Sequence, residues 1–228
     1  MLFKKLLAIA ALLVAPLSHA AFVTINDAAM DAVFSQASFQ GNNIDIRIGA
    51  VTNIVQPDLL DISTPSRLTS LFNLHVGPAN VVNFYYVDTI SECGGFNPNI
   101  IGCGETPGQD FVVESIWATG NGLGAAWGVQ LLAHELGHNL GLNHNNGNFL
   151  MNPSINGFTT LESFEVAAIF QSPLVQRDDS GYFIQINPVL ILAQQIQTDV
   201  PEPSTMVLML SGLLVLGAAR RRRQPAAH

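Results

Sequence analysis

The sequence predicts an α+β domain, with mixed α/β as the neighbouring arrangement. Alternating and β-branched segments come early, two helical segments come late, and no repeat or low-complexity linker divides residues 21–199. Asp27 is placed to cap a helix running to Ser38, with Ala29, Val33 and Phe34 on one face. Residues 44–55 alternate as a strand does, with Ile44, Ile46, Ile48 and Ala50 on one side. A short helix is expected over 65–74. Residues 81–90 and 111–117, rich in β-branched and aromatic types, are expected as strands. Gly120-Asn121-Gly122 breaks the chain, and helical periodicity runs over 125–140. Asn145-Asn146-Gly147-Asn148 and Asn156-Gly157 mark turns. Thr159 with Glu162 forms a capping box ahead of Leu161, Phe164, Ala168 and Ile169, in a last helix ending near Ser172-Pro173.

Charge narrows the function. Residues 21–199 hold 16 of the 17 acidic residues against three arginines, Arg47, Arg67 and Arg177, a formal net charge of −13. Such a surface cannot neutralise a run of phosphates, so nucleic-acid binding is excluded. At 48% hydrophobic and 11% charged residues, the chain has the composition of a folded core rather than of long disorder. Calcium is a possible cofactor with no assigned site. Asp178-Asp179 lacks the spacing of a calcium loop, and solvated surface is the better account of the acidity.

Both ends are expected to be addresses. Lys4 and Lys5 precede an apolar run over 6–17, and Ser18-His19-Ala20 ends it with small residues at the positions a signal peptidase reads. Residues 1–20 are therefore expected to be a cleaved signal peptide. Toward the other end, Val200-Pro201-Glu202-Pro203-Ser204-Thr205 leads into an apolar run over 206–219, then Arg220 to Arg223. That order of parts resembles the PEP-CTERM sorting signal of Gram-negative bacteria. The resemblance implies transient membrane insertion of a short helix over 206–219. It also implies recognition by an exosortase-type enzyme and delivery to the cell envelope, surface or extracellular matrix. In an exported chain, Cys93 and Cys103 are read first as a disulfide closing a small loop. A metal site from these two is weaker, since the spacing is not C-x-x-C, and a cysteine blocking an active-site metal has no supporting motif.

One segment carries chemistry: His134-Glu135-Leu136-Gly137-His138-Asn139-Leu140-Gly141-Leu142-Asn143-His144. On a helix, His134 and His138 are one turn apart and share a face. Two imidazoles so placed can bind one Zn²⁺ at about 2.0–2.1 Å each. Glu135 lies on the same turn, placed as a base rather than a ligand. Gly141 permits a left-handed exit, after which the chain can fold back to bring His144 in as a third ligand. Three protein ligands leave a position for water. With this chain's own frequencies the pattern arises by chance roughly once in 10⁵ such chains, so coincidence does not explain it. His75, the fourth histidine of residues 21–199, is read as a polar residue near a turn.

H-E-x-x-H-x-x-G-x-x-H resembles the metzincin clan of zinc metalloendopeptidases. The resemblance implies a metzincin-like zincin domain, a mixed twisted sheet with an active-site helix and a C-terminal helix. It implies one catalytic Zn²⁺ held by His134, His138 and His144, with Glu135 as general base in peptide-bond hydrolysis. Met151, seven residues after His144 in Asn148-Phe149-Leu150-Met151-Asn152-Pro153, is similar to the Met-turn of the clan, and Pro153 to the matrix metalloproteinase version of it. No tyrosine follows two residues after Met151, so the fifth ligand of astacin-like and serralysin-like members is not expected. Asn145, after the third histidine, matches none of the usual subfamily residues, which leaves the subfamily open. The family's substrate lies antiparallel along an edge strand, which here is expected near residues 99–104, tied down by Cys93–Cys103, with an ordinary surface loop as the alternative. Two other classes compete: a non-catalytic binding module, expected to lose Glu135 or a ligand, and an envelope or matrix structural protein using zinc for stability. A structural site is usually closed by four protein ligands, often with cysteine.

Overall fold

A computed structural model describes residues 25–118 and 125–194. The leader, the Gly120-Asn121-Gly122 break and the sorting tail with Pro201, Glu202 and Pro203 lie outside the described residues. The architecture is mixed α/β, compatible with the expected α+β class, with a mainly parallel sheet and a few helices.

Helix α1 (Asp27–Val33) is shorter than expected and starts one residue earlier in its capping: Asn26, not Asp27, accepts the backbone N–H of Ala29 at 3.1 Å. A separate 3₁₀ turn, Ala37–Phe39, follows, so the segment to Ser38 is not one helix. The stretch 44–55 divides into β1 (Ile44–Ile48) and β2 (Thr52–Val55). Both pair in parallel with a single long strand, and the break between them falls opposite Asn187-Pro188, where Pro188 has no N–H to donate. After the short β3 (Asp61–Ile62), Thr64 caps α2 (Pro65–Phe72). The predicted strand 81–90 becomes β4 (Val81–Val87) and β5 (Thr89–Ile90), the latter paired with β3 in a small second sheet.

Strands β6 (Gly102–Gly104) and β7 (Asp110–Glu114) form a hairpin. The second predicted strand ends at Glu114, because Ile116 and Trp117 belong to a helical turn, α3 (Ser115–Ala118). The long helix α4 (Ala125–Asn139) matches its periodicity. Helix α5 (Ser163–Ile169) is capped by Glu162 and Glu165 rather than by Thr159 and Glu162; the Glu162 main-chain N–H donates to Glu165 Oε2 at 2.7 Å. The box is real but sits three residues further on.

The sequence missed β8 (Gln176–Asp178) and β9 (Gly181–Leu192), and β9 organises the sheet. One edge of β9 takes β1 and β2, the other takes β8 and β4, and β7 and β6 continue outward from β4. Among the described strands, β6–β7 and β8–β9 are the antiparallel pairs. All seven residues of β4 are buried, as expected where both faces of a parallel sheet are covered. Val82, Phe84 and Tyr86 face the core shared with α1, α4 and α5; Tyr85 and Val87 face the core under α2. Asp178, read as solvated surface, is half-exposed but pairs with Arg47 at 2.6 Å, and Arg47 also meets Asp45.

The predicted disulfide is formed: Cys93 and Cys103 are bonded, with Cα atoms 5.8 Å apart. It ties the 93–103 loop to β6. Replacing both cysteines with serine is expected to cost about 2–4 kcal/mol of stability. Because Cys93 and Cys103 lie outside α4, the helical signal should persist below the lowered melting temperature. Calorimetry with parallel circular dichroism checks both halves.

Candidate metal centre

The centre is built on α4. His134 and His138 sit one turn apart on it, both buried. The helix ends at Asn139 with a Schellman closure: Gly141 N–H donates to His138 O at 2.8 Å and Leu142 N–H to Gly137 O at 2.9 Å. Gly141 has φ of 93°, the left-handed exit the sequence called for. That reversal returns the chain past the helix end and carries His144 back to the first two histidines.

The three rings converge. Their centroids are 4.8 Å apart for His134–His138 and for His138–His144, and 5.3 Å for His134–His144. One ligand atom from each lies within 4.8 Å of the others, and His138 Nε2 is 3.2 Å from His144 Nε2. Among the described residues this is the one cluster of three or more histidine, cysteine or acidic side chains with metal-binding spacing.

The outer nitrogens are already engaged. His134 Nδ1–H donates to Leu150 O at 2.8 Å, and His138 Nδ1–H donates to Leu142 O at 2.9 Å. Both bonds select the tautomer whose Nε2 lone pair is free for a cation. Burial lowers all three imidazoles, His134 to about 4, so the rings are neutral at pH 7 and competent to ligate. His144 is the exposed member and opens the cluster to solvent. Three converging neutral imidazoles, two of them oriented from behind, fit a divalent ion such as zinc.

Glu135 is 4% exposed, and its Oε2 has no hydrogen-bond partner. Burial pushes its carboxyl up to about 8 from an ordinary 4.5. Strand β6 rests directly on it: a Cβ at Gly102 would lie 2.7 Å from Glu135 Cδ, and one at Gly104 would lie 3.1 Å from His138 Cβ. Only glycine lets the strand approach this closely. Met151 is fully buried, and a Cβ at Gly137 would meet its sulfur at 2.5 Å, so Met151 lies against the helix between the two histidines.

Glu135 also sets a pH dependence. In the metal-stripped protein its carboxyl holds a proton until about pH 8, whereas the unfolded chain releases it near 4.5. The folded state therefore binds more protons between these values, and this group's contribution falls as pH rises through that window. The lowered imidazoles act in the opposite sense, so the test is a difference. Relative to metal-stripped Glu135→Gln, the metal-stripped native chain should gain stability as pH falls from 8 to 4.5. Denaturant midpoints of the two across that range measure it.

The cluster opens on a cleft of about 760 Å³. Its lining includes residues of the 93–104 loop, Trp117, Trp127, Gln130, Leu131 and residues 152–155. Strand β6 is the outer strand of the sheet. Ile101 and Glu105 make their main-chain bonds to β7, and by antiparallel alternation the main-chain groups of Gly102 and Gly104 face away from it. The edge strand expected near 99–104 thus exists as three residues. Asn139, whose structural part the sequence did not reveal, donates through Nδ2 to Asp110 O at 2.9 Å and Glu105 O at 3.2 Å, fastening the end of α4 to this hairpin. His75 is not a simple turn residue: its Nδ1 lies 3.0 Å from Asp110 Oδ1, in a polar cluster with Asn83. It stands apart from the three clustered histidines.

The fold and site define a mixed α/β domain carrying a three-histidine cluster at the base of a cleft. Residues 199–223 match the PEP-CTERM protein-sorting motif. The match marks the chain for export and attachment to the cell envelope of a Gram-negative bacterium, through recognition by an exosortase-type sorting enzyme. A comparison of the chain with curated proteins returns no match.

Proposed function

We propose that the chain is an exported zinc-dependent endopeptidase of metzincin type, hydrolysing peptide bonds in the cleft above His134, His138 and His144. One observation carries it: three neutral imidazoles converge within 4.8 Å beside a buried carboxylate on the same helix, at the base of a cleft with an open strand edge. The Met151 contact under the helix and the H-E-x-x-H-x-x-G-x-x-H order support the same class.

Zinc held by the three imidazoles supplies Lewis acidity toward a substrate carbonyl and toward water. The chain's own residues do the rest. Leu150 O and Leu142 O keep two of the rings oriented. The outward main-chain groups of Gly102 and Gly104 take an extended peptide as an added strand and aim its carbonyl into the cleft. Glu135, the single carboxylate among the described cleft residues, accepts the proton of the attacking water and returns it to the leaving nitrogen.

The test is casein cleavage by the purified full chain alongside its zinc content. One zinc per chain with cleavage that stops on chelation supports the proposal. Zinc bound without cleavage would leave a binding or structural protein.

A further inference from the structure

Resting on the endopeptidase reading, we infer that Trp117 and Trp127 are the specificity-determining walls of the cleft, and that they select a polypeptide with a bulky, uncharged apolar side chain flanking the scissile bond.

The chain has two tryptophans, and both line this one cleft. Trp117 is held in place: its indole N–H donates to Glu114 Oε2 at 3.0 Å, while Glu114 Oε1 accepts the N–H of Ile90 at 2.9 Å. The carboxylate ties the indole to the small second sheet, so this wall is set before substrate arrives. Trp127 is 41% exposed on α4, an aromatic surface left open at the cleft. A further lining segment is fixed as well. Gln130 Nε2 donates to Asn156 Oδ1 at 2.8 Å, and Gln130 Oε1 accepts Gly157 N–H at 2.8 Å, which fastens the turn carrying Ile155 to α4. Leu131 and Ile101 add apolar surface.

Charge points the same way. The described residues that line the cleft include no lysine, arginine or aspartate, and Glu135 is their one carboxylate. An acidic side chain entering there would lose water and meet no lysine or arginine, and a basic one would meet only the buried Glu135, whereas an apolar one is favoured by the area it buries. Pre-set aromatic walls discriminate by size at little ordering cost.

The experiment uses the zinc-loaded full chain with peptides of one frame that differ only beside the scissile bond, carrying Phe or Leu against Asp or Lys. Cleavage efficiency is expected to favour Phe and Leu by at least about tenfold. Trp117→Ala and Trp127→Ala should each shrink that ratio, and Trp117→Phe should largely restore it. Binding is read separately in the full chain carrying Glu135→Gln. Because both tryptophans lie in the cleft, the Phe peptide should shift or quench intrinsic fluorescence at concentrations where the Asp peptide does not. Cleavage without side-chain preference, or a ratio unmoved by either alanine variant, overturns the inference. Fluorescence selectivity for the Phe peptide in a chain that cleaves nothing would keep the aromatic walls and discard the peptidase reading.

Discussion

Glu135→Gln is expected to abolish casein hydrolysis, by at least about 10²–10⁴-fold, while leaving one zinc bound per chain. Glutamine has the shape of the native side chain, so it fills the space beneath Gly102 where β6 rests. It cannot take a proton from water at neutral pH. No second carboxylate lines the described part of the cleft, so no neighbour can stand in. The ligands His134 and His138 keep their bonds to Leu150 O and Leu142 O, which do not involve Glu135. Activity and metal content measured on the same preparation separate the two effects. Undiminished hydrolysis by the variant would remove Glu135 as the base.

His138→Ala should remove zinc and hydrolysis together. His138 is the middle ring, 4.8 Å from each of the other two, and its loss leaves only a pair of imidazoles. The native chain should also be stabilised by zinc through binding to the folded state alone, by about 4 kcal/mol at a thousandfold excess over Kd. The variant should lose that increment. Melting curves with and without added zinc, together with chelation of the native chain, measure it. His75→Ala is the matched control, because His75 bonds to Asp110 and Asn83 rather than to the cluster. It should retain zinc. A zinc-dependent stabilisation that survives His138→Ala would place the ion elsewhere.

Much of the centre is legible in sequence because it is local. His134 and His138 are brought together by one helical turn, and Gly141 with Leu142 closes the helix through bonds spanning a few residues. The Cys93–Cys103 loop is equally short. Boundaries were less legible. Asp27 and Thr159 have the chemistry of caps, yet Asn26 and Glu162 do the capping, since several polar residues compete within one turn and packing of the apolar face decides the phase. Ile116 and Trp117 have strand-forming side chains but fold as a helical turn.

The sequence alone determined the spacing of the three histidines, the carboxyl beside them, the cysteine pairing and the sorting tail, for each is written within a few to some two dozen consecutive residues. Tertiary structure decided what those residues face. Strand β9 reads poorly as a strand because Asn187-Pro188 interrupts it, yet it pairs with four others and centres the sheet. The glycines of β6 meet Glu135 across some thirty positions of chain, and Trp117 and Trp127 reach one cleft from two helices. Such placements follow from long-range strand pairing and two-sided burial, whose free energy depends on partners distant in the chain and leaves no local period to read.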